Sequence, residues 1–155
     1  MSYNRIIPLS KRNLIKIVDL YQWGLLNQRP KYKSKKEGIL KNLKKLEGFI
    51  YKNHKGTIVG LITYNIKANK VIIDFVCSKA RRKGIVTSLF IKLGKYCLKH
   101  NIKEILSRVS SKDKRTMNLY FKKFRFKKYY SKKTNLNFIS YRVKIKPSEL
   151  INFNK

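Results

Sequence analysis

The stretch Val76-Cys77-Ser78-Lys79-Ala80-Arg81-Arg82-Lys83-Gly84-Ile85-Val86 decides how the rest of the chain is read. Its first two residues close a strongly apolar run, Val71 to Cys77, interrupted by Asp74 and read as a strand. The basic, glycine-containing stretch from Ser78 to Gly84 then reads as a turn, and Ile85, Leu89, Phe90, Leu93, Tyr96, Cys97 and Leu98 as the apolar positions of a long amphipathic helix. A strand that passes through a turn straight into a helix leaves several backbone N–H groups at the helix start without an intrahelical acceptor. The helix dipole adds partial positive charge there, so a pyrophosphate can be held by main-chain donors with Arg81, Arg82 and Lys83 around it. Gly84 lacks the Cβ that would block close approach of a phosphate, and Thr87 can offer its hydroxyl to the same anion.

Upstream, residues 3 to 8 read as a short strand. Ser10 precedes a helical pattern carried by Leu14, Ile15, Ile17, Val18, Tyr21, Leu25 and Leu26, which Pro30 stops. A shorter helix is expected from Ser34 to Leu46, with Ile39, Leu40, Leu43 and Leu46 on one stripe and lysines on the other face. Gly48 to Lys52 and Thr57 to Ile66 form an antiparallel pair across a turn at His54-Lys55-Gly56, and Asn69-Lys70 turns the chain again. Downstream come a strand from Glu104 to Val109, a helix from about Lys112 to Phe124, and closing strands near Phe126 to Tyr130 and Leu136 to Lys144. The order is β-α-α-β-β-β-α-β-α-β-β.

The 155 residues suit one domain with one core, and 43% apolar with 12% aromatic residues is enough to fold. Against 7 acidic residues stand 39 Lys and Arg, a formal net charge of +32 spread from Arg5 to Lys155. Self-repulsion on that scale calls for a screening polyanion, and RNA or a ribonucleoprotein surface supplies phosphates whose counterions are released on binding. Codon bias in an AT-rich genome is the alternative source of the lysines, although such bias should raise Glu as well, and Glu is scarce. Cys77 and Cys97 sit in apolar runs outside any CxxC, which argues for reduced core thiols and against a structural metal site. No stretch approaches the roughly 20 apolar residues of a membrane span, so a soluble protein of the cytoplasm or an organelle matrix, in a reducing compartment, is expected.

The turn and helix start resemble the acetyl-CoA motif of the GNAT superfamily, Arg/Gln-x-x-Gly-x-Gly/Ala, with Arg81, Gly84 and Val86 at the marked positions. Val86 departs from the small residue found there. The order of the eleven elements is similar to the family's over nearly the whole chain. The resemblance implies a single N-acetyltransferase domain over residues 1–155, an α/β (α+β) fold with a mixed, mostly antiparallel sheet flanked by helices. It also implies acetyl-CoA as cosubstrate, with Val76, Arg81, Arg82, Lys83, Gly84, Ile85, Val86 and Thr87 forming the coenzyme A site and main-chain N–H near Val76 facing the oxyanion. A second resemblance, to the family's Leu-Tyr-x-x-x-Gly-Phe, falls on Asn118 to Phe126 and has two registers. Aligned on Phe126, the tyrosine position is Phe121 and the glycine Arg125; aligned on Leu119-Tyr120, the tyrosine is kept and one residue is inserted before Phe126. In similar enzymes that tyrosine gives a proton to the leaving thiolate, which a phenylalanine cannot do.

A general base must also take a proton from the incoming ammonium, and Asp74 is the candidate because it interrupts an apolar strand, where burial would raise its pKa. Local pairing of Asp74 with a Lys or Arg is the plainer reading. Tyr129 and Tyr130, flanked by Lys127, Lys128, Lys132 and Lys133, can stack on bases amid phosphate contacts. Three functions compete: an acetyltransferase whose acceptor amine is borne on RNA or a ribonucleoprotein, such as aminoacyl-tRNA or a ribosomal protein; a weakened or inactive homologue serving as an RNA-binding subunit; and an ordinary small-molecule acetyltransferase from an AT-rich genome. The sequence leaves the oligomeric state open.

Overall fold

The computed structural model describes residues 5–28, 35–80, 84–134 and 138–152. Seven strands form one sheet in the order β1-β2-β3-β4-β5-β7-β6. They are β1 (Arg5–Pro8), β2 (Glu47–Lys52), β3 (Ile58–Lys67), β4 (Lys70–Ser78), β5 (Glu104–Ser110), β6 (Lys127–Lys133) and β7 (Ile139–Ile145). The helices are α1 (Leu14–Gln28), α2 (Lys36–Leu43), α3 (Ile85–Lys99), a short α4 (Lys114–Met117) that continues as a π turn (Asn118–Lys123), and α5 (Pro147–Ile151). The registered pairs are antiparallel except β4 with β5, which runs parallel from Lys70↔Glu104 to Ile72↔Leu106. This is the mixed, mostly antiparallel sheet with flanking helices that the sequence implies. No helix among the described residues is long and apolar enough to cross a membrane.

The contacts divide the chain into two compact units: Met1–Asn65 with Asp74–Lys92, and Ile66–Ile73 with Leu93–Lys155. In the first, α1 and α2 lay their apolar stripes on the sheet. Ile17, Leu20 and Tyr21 of α1 and Ile39 and Leu43 of α2 are buried in one cluster with Ile50, Leu61, Phe75 and Cys77 of the strands. Gly60 lets α3 settle onto β3, since a Cβ there would lie 2.5 Å from the Ile85 side chain. In the second unit, Ile105 and Val109 of β5 and Val143 and Ile145 of β7 are buried, as are Tyr120, Phe124 and Phe126. A Cβ on Gly94 would come within 2.7 Å of Ile151, so this glycine gives α5 its seat on α3.

Several boundaries differ from the sequence reading for local reasons. Ser10 makes no side-chain cap; a 3-10 turn, Lys11–Asn13, opens α1 instead, and the Asn13 amide donates to the Ser10 hydroxyl at 3.1 Å. The second helix closes at Leu43, short of Leu46, and Pro30, Ser34 and Leu136 lie outside the described residues. The expected helix from Lys112 to Phe124 starts later, with Asp113 capping it by accepting the Thr116 N–H at 3.0 Å, and relaxes into the π turn. Strand β6 runs on to Lys133 rather than stopping at Tyr130. The C-terminal α5 is an addition to the expected order: Pro147 stands at its N-terminal end, where a missing N–H costs nothing, but five residues are too few to show a helical period.

Candidate functional site

In the first unit, β4 ends at Ser78 and is followed by Lys79 and Ala80. Lys79 N–H bonds the Val59 carbonyl at 2.8 Å, and the Ser78 hydroxyl brackets Ala80, donating to its carbonyl at 2.8 Å and accepting its N–H at 3.2 Å. Arg81, Arg82 and Lys83 lie outside the described residues. Gly84 then takes φ +68°, the left-handed region that an L side chain enters only with strain, and a Cβ built on it would meet nothing within 4 Å. The glycine serves the backbone turn, and the space beside it is open.

Helix α3 starts immediately after. Ile85 points into the core against Gly60, while Val86 and Thr87 are half-buried. Ser88 is the first residue to bond back, sending both its N–H (2.9 Å) and its hydroxyl (2.8 Å) to the Gly84 carbonyl. The N–H groups of Ile85, Val86 and Thr87 precede any intrahelical acceptor. On the same turn the Thr87 hydroxyl oxygen is buried without a hydrogen-bond partner among the described residues. An orphaned buried hydroxyl is costly. An anion at the helix start, held by these N–H groups, fits the donors present. The Lys79 ammonium stands 5.7 Å from the Trp23 ring centre, so α1 borders the turn.

Asp74 lies four residues upstream of the turn. The strand's pleat sends Val71, Ile73, Phe75 and Cys77 inward and leaves Asp74 exposed, so the burial expected for it does not occur. Among the described residues no Lys or Arg pairs with it; its Oδ2 accepts the Tyr21 hydroxyl at 2.8 Å and the Thr63 hydroxyl at 2.9 Å. Tyr21 also stacks on Phe75, ring centres 4.6 Å apart. The carboxylate is therefore fixed by two hydroxyls from α1 and β3, and its Oδ1 has no partner among the described residues. Sequence reasoning missed both partners; Tyr21 was hidden in a helical apolar stripe, and the one available signal was Thr63 as a polar residue inside the β3 apolar run.

In the second unit, a π turn occupies the segment whose register the sequence leaves open. Phe124 N–H bonds the Leu119 carbonyl five residues back, at 3.0 Å, and Phe126 N–H bonds the Tyr120 carbonyl at 2.8 Å. Such a turn holds one residue more than an α-helical turn. Arg125 has φ +60°, the conformation expected of a glycine. Arg125 thus has the backbone of the motif's glycine position, and the π turn holds one residue more than an α-helical turn between Leu119-Tyr120 and Phe126. Tyr120 is buried, with its hydroxyl 2.8 Å from that of Ser107 on β5 and its ring edge-on to Phe126 at 4.8 Å. Burial pushes the phenol's pKa up to about 12, the Ser107 hydrogen bond opposing the shift. Phe121 turns elsewhere, edge-on to Tyr141. Cys77 and Cys97 are free and buried, and burial raises both thiols to about 12, so neither is a poised nucleophile.

The model of the acetyltransferase (GNAT) family matches residues 15–126. No curated protein matches the chain. Among solved structures, the ribosomal-protein-S18-alanine N-acetyltransferase of Escherichia coli superposes with a TM-score of 0.76 at 11% identity, covering 92% of this chain and 93% of that one. An N-acetyltransferase from Staphylococcus aureus Mu50 gives 0.72 at 16% identity over 94% and 99% of the two chains. The ribosomal-protein-alanine N-acetyltransferase of Brucella melitensis gives 0.72 at 12% identity over 92% and 99%.

Proposed function

We propose the following role for a chain that, by its match over residues 15–126, belongs to the acetyltransferase (GNAT) family: it transfers an acetyl group from acetyl-CoA to an amine carried on RNA or within a ribonucleoprotein. The observation that carries the donor half is the start of α3, where a left-handed glycine, the first helical N–H groups and a buried hydroxyl with no partner among the described residues gather on one turn. Val76, Arg81, Arg82, Lys83, Gly84, Ile85, Val86 and Thr87 are assigned to coenzyme A, with the main-chain N–H groups of the helix start and the basic side chains receiving the pyrophosphate. Bound there, acetyl-CoA supplies an acyl carbon activated as a thioester.

Asp74 is assigned as the base. Its Oδ2 is already occupied by Tyr21 and Thr63, which leaves Oδ1 to accept the proton that the ammonium must shed before its nitrogen can attack. Tyr120 is assigned as the donor to the departing thiolate. A phenol kept neutral by burial retains its proton throughout the physiological range, the state a donor needs.

The acceptor is assigned from charge. A chain of net charge +32 repels free cationic amines, whereas an amine borne on a polyanion is drawn in by its phosphates. Aminoacyl-tRNA and the amino terminus or a lysine of a ribosomal protein in its RNA setting both satisfy this condition, and two of the structural neighbours carry ribosomal-protein-alanine in their names. The test is calorimetric titration of nucleic-acid-free protein with acetyl-CoA, using Arg82→Glu with Gly84→Glu as control, followed by radiolabelled acetyl transfer to aminoacyl-tRNA and to ribosomal subunits. Saturable binding abolished in the control, with label entering either acceptor, is expected. A folded protein that does not bind acetyl-CoA would overturn the donor assignment; label entering only small free amines would overturn the acceptor.

A further inference from the structure

The second unit carries a surface that acyl transfer does not use. Strands β5, β7 and β6 place Arg108 opposite Arg142 and Arg142 opposite Tyr130, a single row across three strands, with Ser110, Ser140 and Lys132 in the next row. Beside these rows lies a concavity of about 430 Å³ lined by Arg108, Tyr130, Lys132, Lys133, Ser140 and Arg142. Every residue of β6 is exposed.

Neighbouring residues of a regular strand point to opposite faces. Here the pairing of β6 with β7 shifts between Lys128 and Tyr130, so Tyr129 is an extra residue in a bulge. As a result two consecutive tyrosines meet cations from one face of β7: the Lys144 ammonium lies 5.5 Å from the Tyr129 ring centre and the Arg142 guanidinium 4.8 Å from that of Tyr130. Both rings keep nearly half their surface open, at 44% and 46%. Arg108 and Arg142 are like charges directly opposed, an arrangement that destabilises an isolated sheet. The acid at the end of this face, Glu104, is engaged by Lys70 and Lys144. Lysines along an edge strand can be explained by protection against edge pairing. That explanation reaches neither the paired arginines, one and two strands in from the edge, nor the pair of tyrosines.

We propose that this face of β5, β7 and β6 docks a single-stranded segment of RNA, with Arg108, Arg142, Lys132 and Lys133 receiving phosphates and Tyr129 and Tyr130 stacking on bases. A single strand is favoured because its bases expose their faces to an aromatic ring, whereas those of a duplex are stacked inside it and a lipid headgroup has none. The inference deepens the acceptor assignment above and rests on it in naming RNA as the polyanion.

The test is fluorescence anisotropy with a fluorescein-labelled single-stranded RNA of mixed sequence, read over a range of salt concentrations. Three double variants, checked for folding by thermal melts, are compared: Arg108→Gln with Arg142→Gln, Tyr129→Leu with Tyr130→Leu, and Lys16→Gln with Lys41→Gln on the exposed faces of α1 and α2 as a charge-matched control. Each lost phosphate contact lowers the slope of log affinity against log salt by about 0.7, so the arginine pair is expected to flatten it by about 1.4 and the control to leave it nearly unchanged. The tyrosine pair is expected to cost on the order of ten-fold or more in affinity, restored by the Phe substitutions. Equal losses in the control and the arginine variant, undiminished binding by the tyrosine variant, or equal competition by duplex RNA or phosphatidylserine vesicles would each overturn the proposal. Acetyl-CoA calorimetry on the same variants keeps the two assignments separable. RNA affinity lost with acetyl-CoA binding intact supports the docking face, and a wild-type protein that binds RNA here but not acetyl-CoA refutes the acyl-transfer reading while leaving the face standing.

Discussion

Replacing Tyr120 by phenylalanine removes one oxygen from a side chain that is 2% exposed and strips the buried Ser107 hydroxyl of its described partner. A buried hydroxyl left unsatisfied costs about 1–3 kcal/mol, so at neutral pH the variant should be less stable by about 1–2 kcal/mol. The phenol's ionisation adds a signature with the opposite sign. Its pKa rises from 10.0 to about 12 on folding. A group raised in this way contributes stability that is complete below pH 10 and is lost as pH climbs towards 12. Two pH units correspond to about 2.7 kcal/mol. The wild type should therefore lose that increment across the window while the variant, having no phenol to ionise at this position, does not, and the order of stabilities should reverse near the top of it. Urea unfolding followed by Trp23 fluorescence at pH 7, 9, 10.5 and 11.5 measures both effects. Thiol release from acetyl-CoA in the presence of the acceptor measures the chemistry, where a fall in kcat of about 100-fold with little change in KM is expected. Equal stabilities at pH 7 with parallel alkaline profiles would refute the buried Tyr120–Ser107 contact, and an unchanged kcat would remove Tyr120 from the reaction.

Asp74→Asn keeps an oxygen for the Tyr21 and Thr63 hydroxyls, so its melting temperature should hardly move while turnover at pH 7 falls by about 100-fold or more; a turnover close to wild type would exclude Asp74 as the base. Gly84→Ala forces a side chain to φ +68° and should lower stability by about 1–2 kcal/mol in chemical denaturation, with calorimetry showing weaker acetyl-CoA binding. Gly94→Ala should push α5 off α3 at a cost of about 1–3 kcal/mol, and adding Ile151→Ala should recover part of it in a double-mutant cycle, because the clash is with the Ile151 side chain at 2.7 Å. Both cysteines should resist Ellman's reagent in the native protein and react once it is unfolded in urea, since burial disfavours their thiolates.

The strands were legible chiefly as short apolar runs bounded by turn residues, and the long helices by the spacing of their apolar positions. Val71 to Cys77 alternates in the structure as its residues alternate in burial, and the apolar positions of α1 and α3 recur at helical spacing. The strand end and helix start on either side of Gly84 were legible for a different reason: an apolar run gives way to apolar positions at helical spacing, and the first N–H groups of any helix are left unspent whatever the tertiary setting. Asp74 was expected in a buried setting and is exposed. A sequence shows that a charged residue interrupts an apolar run; it does not show which face of the strand the core covers. Only the fold brings Tyr21 and Thr63, 53 and 11 residues away, to one carboxylate oxygen.

The two features least visible in the sequence share one physical origin, a single inserted residue that breaks a period. In a helix one extra residue rotates everything beyond it by about 100°, and the π turn from Asn118 to Lys123 takes up that rotation within six residues. Tyr120 and Phe126 can then meet edge to edge, although the motif's spacing counted back from Phe126 falls on Phe121. In a strand one extra residue exchanges the two faces, and the bulge at Tyr129 confines that exchange to one position, so that two adjacent aromatic rings share a surface. A periodic reading assigns each of these residues to the wrong side because it assumes the count is unbroken. Both insertions lie in the segment from Asn118 to Lys133, and both leave tyrosines where regular structure would not hold them, one sealed against a serine and two open beside arginine and lysine. That segment is therefore where the proposed acyl-transfer role and the proposed RNA docking can be tested separately by mutation, since Tyr120 and the pair Tyr129–Tyr130 are held by different elements and different partners.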